Sequence, residues 1–114
     1  MQIIRGTTPT VTINVRSEID LSQVTDIWVY IYQQNEIVID KQLADVQIDA
    51  AARKITVSLS QEDTLSLKAG VGALFQVRLL LSGGIAIATL ATNVAIKEVY
   101  KGGIIGGEVL WVIF

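Results

Sequence analysis

The stretch Asp26–Leu43 constrains the fold more than any other part of the chain. Two runs of β-branched and aromatic residues lie on either side of a polar break at residues 33–36, a pattern typical of a β-hairpin. Successive side chains of a strand point to opposite faces. The first run therefore has two different faces, an aliphatic one that we expect in the core and an aromatic one that we expect outward: Ile27, Val29 and Ile31 against Trp28, Tyr30 and Tyr32.

The same alternation recurs along the first hundred residues. It predicts a short extended start at residues 2–5 and strands near residues 10–16, 46–48, 55–59, 75–81, 85–90 and 94–99. Ser60 followed by Asp63 resembles a capping box, and it predicts one short helical turn near residues 61–67 that crosses between sheets. Spacing of this kind indicates an all-β sandwich or barrel. We expect one core that contains Ile13, Val29, Ile31, Val57, Val77 and Leu79.

Three local features of this fold are also predicted. In the second strand of the hairpin, Ile37, Ile39 and Lys41 are expected on one face. Residues 82–84, Ser-Gly-Gly, read as a tight turn of the type that closes two-residue hairpin loops. Thr92 and Asn93 are expected to form a kink before the last strand.

The end of the sequence differs from the rest in composition. Residues 1–100 are expected to form the sandwich, and residues 101–107, rich in glycine, a flexible linker. Residues 108–114 follow as an apolar strand or tail. Because an uncovered apolar strand aggregates, we expect this segment to pair with a neighbouring subunit or to fold back over its own sandwich. Its candidate interface residues are Val109, Leu110, Trp111, Val112, Ile113 and Phe114.

Composition excludes several classes of function. Nine basic and eleven acidic side chains give a net charge of -2, too balanced to predict nucleic acid or an anionic membrane as a partner. No cysteine and no histidine occurs, so thiol nucleophiles, thiolate metal sites and the commonest general base are missing. The longest apolar runs are far shorter than the ~20 residues of a membrane span. The N-terminus lacks a signal-peptide pattern, so we expect synthesis in the cytoplasm.

Carboxylates are the remaining candidates for chemistry. Asp40, Asp45 and Asp49 lie near one end of the hairpin, and Glu62 and Asp63 are adjacent. A pair of catalytic acids needs a cleft that separates their pKa values, and a calcium loop needs a regular ligand spacing. Neither pattern is present, and the glycines lack the flanking residues of a phosphate loop. We therefore expect solvated turn acids, no enzyme, no metal and no cofactor.

The aromatic row of Trp28, Tyr30 and Tyr32 is the most informative surface candidate. Tyrosine and tryptophan combine a large apolar area with a polar tip, and they are enriched at protein interfaces. Rows of aromatic rings on a strand can also stack against sugar rings. The third interpretation is structural, with the rings packed under a loop. The sequence alone leaves interface, packing and sugar binding open.

Several segments together resemble a known family. They are the opening Met-Gln-Ile-Ile-Arg-Gly-Thr-Thr-Pro, the run Asp26–Gln34, residues 55–64 and the run Phe75–Arg78. Over roughly residues 1–100 the chain is similar to small phage or prophage tail-region proteins, in particular to the immunoglobulin-like N-terminal domain of phage baseplate upper proteins. The resemblance implies an immunoglobulin-like antiparallel β-sandwich of about seven strands.

The resemblance also implies a function. It predicts a virion component of the tail or baseplate that acts through contacts with other copies or with other tail proteins, without catalytic residues. The alternative is a carbohydrate-binding module that uses the Trp/Tyr face.

Overall fold

The computed structural model describes residues 1–106, and this part of the chain is built almost entirely from β-strands. A single short α-helix, α1, spans Gln61–Leu65, and 3-10 turns lie at Leu21–Gln23 and Leu43–Asp45. No helix in this part of the chain is long and apolar enough to cross a membrane. The strands are β1 Gln2–Ile4, β2 Thr10–Asn14, β3 Val24–Gln33, β4 Glu36–Gln42, β5 Val46–Asp49, β6 Lys54–Ser58, β7 Ala73–Leu81, β8 Ile85–Ala88 and β9 Thr92–Lys97.

The strands form two sheets. One has the order β1-β9-β7-β3-β4, with β8 also paired to β7, and the other has the order β2-β6-β5. In the letters used for immunoglobulin domains, β4-β3-β7-β9 corresponds to C′-C-F-G and β2-β6-β5 to B-E-D. The predicted all-β sandwich is confirmed.

Two details differ from the prediction of about seven antiparallel strands. The first strand, β1, pairs with the last strand, β9, and runs parallel to it. The described residues also contain nine strands. Two of them, β8 and β9, pair with opposite halves of β7, so they are two parts of one broken strand.

The core lies between the two sheets. Ile27, Val29 and Ile31 of β3 are buried, which confirms the aliphatic face as the inner one. Five of the six expected core residues are fully buried: Val29, Ile31, Val57, Val77 and Leu79. Ile13 is only partly buried, because β2 is an edge strand of the three-stranded sheet and lacks a neighbour on one side.

The β3–β4 hairpin is closed by Gln34 and Asn35, whose φ angles are 51° and 64°. Two successive left-handed residues are the signature of a type I′ turn. The pairing then shifts, since Tyr32 lies opposite Ile37 and Ile31 lies opposite Ile39. The extra residue, Val38, forms a β-bulge. As a result, Ile37 and Ile39 point to opposite faces of the sheet. The expectation that Ile37 shares a face with Ile39 is therefore wrong: Ile39 is buried and Ile37 is exposed.

The two other local predictions also need correction. The turn between β7 and β8 has three residues, Ser82–Gly84, since Leu81 pairs directly with Ile85. The break between β8 and β9 lies at residues 89–91, whereas Thr92 and Asn93 already belong to β9. Thr89 lies at this break and is hydrogen-bonded to β7: its N–H donates to the Val77 carbonyl at 2.9 Å, and its Oγ1 accepts from the Val77 N–H.

The short helix carries the chain from β6 to β7, between the two sheets. It ends at Leu65, two residues earlier than predicted. Its start is a complete capping box, because Ser60 Oγ accepts from the Asp63 N–H and Asp63 Oδ2 accepts from the Ser60 N–H. The loop that follows is held by the buried Gln33 side chain, which bonds the backbone of Lys68 and Val71. The crossing is thus fixed at both ends by side-chain bonds to backbone.

Candidate interaction surface

The aromatic row lies on the outer face of the six-stranded sheet, the face turned away from the core. Trp28 is 44% exposed, and Tyr30 and Tyr32 are half-buried. Each ring lies between side chains of the two neighbouring strands, β4 and β7. We use the term outer face for the following residues of β3, β4, β7 and β8, assigned from the strand pairing: Asp26, Trp28, Tyr30, Tyr32, Ile37, Asp40, Gln42, Leu74, Gln76, Arg78, Leu80, Ala86 and Ala88.

The polar ends of these aromatic side chains are held in place. The guanidinium carbon of Arg78 lies 5.0 Å from the centroid of the Trp28 ring, within the range of a cation–π contact. Tyr30 donates its hydroxyl proton to Gln76 Oε1 at 2.6 Å, and Gln76 Nε2 donates to the Thr89 carbonyl at 2.8 Å. These contacts restrict the rotamers of the row before any partner binds.

The rest of the outer face is mostly apolar and uneven. Leu80 and Leu74 of β7 are 40% and 36% exposed, and Ile37 of β4 is 51% exposed. The surface contains two shallow hollows of about 150 Å³ and about 250 Å³. The smaller one is lined by Asp26, Trp28, Arg78, Leu80 and Ala86, together with the strand backbone. The larger one is lined by Tyr30, Tyr32, Leu74, Gln76 and Ala91.

The charges of the outer face are few and of both signs, and one of them is Asp26 of β3, which lines the smaller hollow. Arg78 of β7 lies beside Trp28, and Asp40 of β4 lies beside Tyr30. Within residues 1–106, the ion pairs are Arg5–Glu98 and Lys41–Asp63, both away from this face. Arg78 and Asp40 therefore have no ionic partner in this part of the chain.

Three of the five carboxylates considered for chemistry accept backbone hydrogen bonds in turns or caps. Asp45 Oδ2 accepts from the Gln42 N–H at 2.9 Å, and Asp49 Oδ1 accepts from the Ala52 N–H at 3.0 Å. Asp63 caps α1 and pairs with Lys41 at 2.9 Å. Residues 1–106 contain no group of three or more acidic side chains placed to hold a metal ion. These contacts support the interpretation of the acids as turn and cap residues.

The environment of Asp63 also affects its ionisation. Burial opposes the charged form of the carboxylate, but the hydrogen bond from the Ser60 N–H, the Lys41 ammonium and the Ser60 hydroxyl outweigh it. The pKa of Asp63 is therefore lowered from its ordinary value.

The predicted C-terminal interface residues lie outside the described residues: Val109, Leu110, Trp111, Val112, Ile113 and Phe114. The described part of the glycine-rich segment contacts the sandwich near α1. Gln61 Nε2 donates to the Ile105 carbonyl at 3.0 Å, and the Ile105 N–H donates to Gln61 Oε1 at 2.8 Å. The Gln61 amide thus pairs with the backbone of Ile105 as a neighbouring strand would.

The sequence analysis identified the aromatic row but missed most of the outer face around it. Leu74, Arg78 and Leu80 were not among the candidate residues, and Asp40 was considered only as a carboxylate for chemistry. A signal was present, because the alternation of residues 75–81 already places Gln76, Arg78 and Leu80 opposite the core. What was missing was the pairing of β3 with β7, which is a long-range contact.

Comparison with known proteins adds no family to these observations. No protein-family model matches the chain, and no curated protein matches its sequence. A functional assignment therefore depends on the geometry and chemistry of the outer face and on the segments discussed above.

Proposed function

We propose that this protein is a non-enzymatic structural protein of a phage or prophage tail or baseplate region, and that it acts through protein–protein contacts. The observation that carries the proposal is the outer face, where exposed aromatic and aliphatic side chains form one surface on a rigid sheet. The proposed interface residues on it are Trp28, Tyr30 and Tyr32.

The chemistry of the outer face favours a protein partner. Tryptophan, tyrosine and arginine are the residues most enriched among those that dominate binding energy at interfaces. The bonds that fix Tyr30 and the Arg78–Trp28 contact reduce the entropy lost on binding. Adjacent leucine side chains supply apolar area. Within residues 1–106, Asp45, Asp49 and Asp63 are bonded in turns and caps, and no cluster of three or more acids occurs.

The resemblance of residues 1–100 to the immunoglobulin-like domain of phage baseplate upper proteins supplies the biological setting. The resemblance implies assembly through protein contacts, and the outer face is a surface that can make them. The protein would then be part of a virion, with other copies or other tail proteins as partners.

A carbohydrate-binding module is the second candidate, and one observation favours it. The hollow of about 150 Å³ beside Trp28 is lined by Asp26 and Arg78, so polar groups surround an aromatic ring as they do in many sugar sites. Arg78, however, already lies over the Trp28 ring, and a sugar would need an open ring face. We therefore favour a protein partner.

The proposed function is tested with a Trp28→Ala/Tyr30→Ala/Tyr32→Ala variant. Epitope-tagged protein is expressed in the host strain during phage induction, and tail particles are separated on a density gradient. The wild-type chain should co-sediment with particles, whereas the variant should remain in the soluble fraction although circular dichroism shows it folded. A matched Thr12→Ala/Asn14→Ala variant changes exposed residues of β2 on the other sheet and should behave as wild type.

Two results would contradict the proposal. One is a wild-type chain that never co-sediments with particles. The other is a glycan array on which the wild-type chain binds and the triple variant does not, which would favour the carbohydrate module.

A further inference from the structure

The outer face exposes several large apolar side chains. Trp28, Leu80 and Ile37 are 44%, 40% and 51% exposed, and the strand pairing makes them part of one continuous surface. Monomeric soluble proteins rarely expose large contiguous apolar patches. No segment within residues 1–106 covers this one.

The charges on the face decide which partner fits. Arg78 and Asp40 have opposite signs and lie on opposite sides of β3, and neither has an ionic partner within the described residues. A surface with charge of one sign would repel a copy of itself, and it would need a partner of the other sign. A surface with charges of both signs can be complementary to itself, and Arg78 and Asp40 are the opposite charges that lie on the two strands beside β3.

The register of the strands makes this complementarity two-fold. Arg78 lies opposite Trp28 across the β3–β7 pair, and Asp40 lies opposite Tyr30 across the β3–β4 pair. The point midway between the two charges is therefore on β3, between Trp28 and Tyr30. Consider a two-fold axis that lies in the plane of the interface over this point, perpendicular to the line that joins the two charges. This axis places Arg78 of each copy opposite Asp40 of the other, as an isologous interface requires.

We propose that the outer face binds the same face of a second copy of this chain, as a two-fold symmetric dimer in which Arg78 of each copy pairs with Asp40 of the other. This inference depends on the proposed function, because it names the partner of the same surface. The axis places Trp28 and Tyr30 at the centre of the contact, where binding energy is concentrated. The two Arg–Asp pairs lie on either side of that centre.

The proposal is tested by a charge exchange. Dissociation constants are measured by sedimentation equilibrium for the wild-type chain, Arg78→Glu, Asp40→Arg and the double variant. Each single variant brings like charges together twice in the dimer, so we expect the dissociation constant to rise by about tenfold or more. The double variant restores both pairs and should return to within about threefold of wild type.

The control is Arg16→Glu, which makes the same charge change as Arg78→Glu at an exposed position after β2. It should leave the dissociation constant unchanged. Thermal melts establish that each variant is folded. A double variant no tighter than the single ones would overturn the proposal, as would single variants that bind like wild type.

A wild-type chain that stays monomeric up to its solubility limit would also overturn the dimer. That result leaves the proposed function intact if the chain still co-sediments with tail particles, because the face then binds a different tail protein. A wild-type chain that dimerises but never co-sediments with tail particles would contradict the proposed function and leave the dimer intact.

Discussion

At the scale of single residues, the strand period places neighbours in opposite environments. Val77 is 2% exposed in the core, whereas Arg78, the next residue, lies on the outer face over Trp28. Gln33 is one of two buried polar residues in the described part of the chain, the other being Thr64. Its side-chain amide donates to the Lys68 and Val71 carbonyls and accepts from the Lys68 N–H, so burial leaves none of its polar atoms without a partner.

The burial of Val77 leads to the first prediction. Val77→Asp should unfold the domain, because an unpaired charge in the core costs several kcal/mol out of a typical total of about 5–15 kcal/mol. Urea denaturation followed by circular dichroism measures the effect. Leu80→Asp is the matched control, since Leu80 is on the same strand but faces outward, and it should remain folded. Equal stability of the two variants would mean that the faces of β7 are assigned wrongly.

At the scale of elements, the turns and strand breaks determine which side chains meet. The bulge at Val38 turns Ile37 outward beside Tyr32, and the break at residues 89–91 brings Thr89 to the Gln76 side chain. The β5–β6 connection contains a further special residue, Arg53, with a φ angle of 55°. A residue in this left-handed region is strained unless it is glycine, asparagine or aspartate.

We expect Arg53→Gly to stabilise the protein. Removing the left-handed strain gains about 1–2 kcal/mol, and the extra freedom of glycine in the unfolded chain costs about 0.5–1 kcal/mol. The net gain is on the order of 0.5–1 kcal/mol, measured from urea unfolding curves. Lys54→Gly, at the next residue and within β6, is the control and should destabilise. A loss of stability in Arg53→Gly would show that the arginine side chain makes a contribution larger than the strain.

At the scale of the whole molecule, contacts between distant segments join the two sheets. The Lys41–Asp63 pair links β4 of the six-stranded sheet to the helix that leaves the three-stranded sheet. Arg5 likewise connects the first segment to the last strand, because it donates to Glu98 and to the Leu65 carbonyl. Neither contact follows from local sequence, since each joins residues more than twenty positions apart.

The Asp63 contact predicts a dependence of stability on pH. The pKa of Asp63 is lowered in the folded state, so its contribution is fully present above the unfolded-state pKa of about 4. It is lost as the pH falls through the lower folded-state pKa. Asp63→Asn should therefore be less stable than wild type at pH 7, and the difference should shrink below about pH 4.

Urea unfolding between pH 7 and pH 3 measures this difference. Glu62→Gln removes the same charge one position away, at an exposed side chain, and serves as the control. A stability difference between Asp63→Asn and wild type that stays constant over the whole range would mean that the charge of Asp63 does not contribute.

The sequence by itself determined the class of fold, the strands of the hairpin, the short capped helix and the inward face of β3. These features depend on side-chain period, capping and turn chemistry, which act between residues a few positions apart. The aromatic row could be recognised for the same reason. The alternation in β7 identified Arg78 and Leu80 as outward residues, but it could not say which strand they adjoin.

Only the tertiary structure decided what surrounds the row. The bulge at Val38 turned Ile37 from the inner to the outer face of the sheet. The parallel pairing of β1 with β9 made β1 an edge strand of this sheet, which no local pattern predicts. The pairing of β3 with β7 brought Arg78 onto Trp28, and its pairing with β4 brought Asp40 beside Tyr30. Strand pairing between distant segments is set by the packing of the whole core, where many registers satisfy the same local alternation.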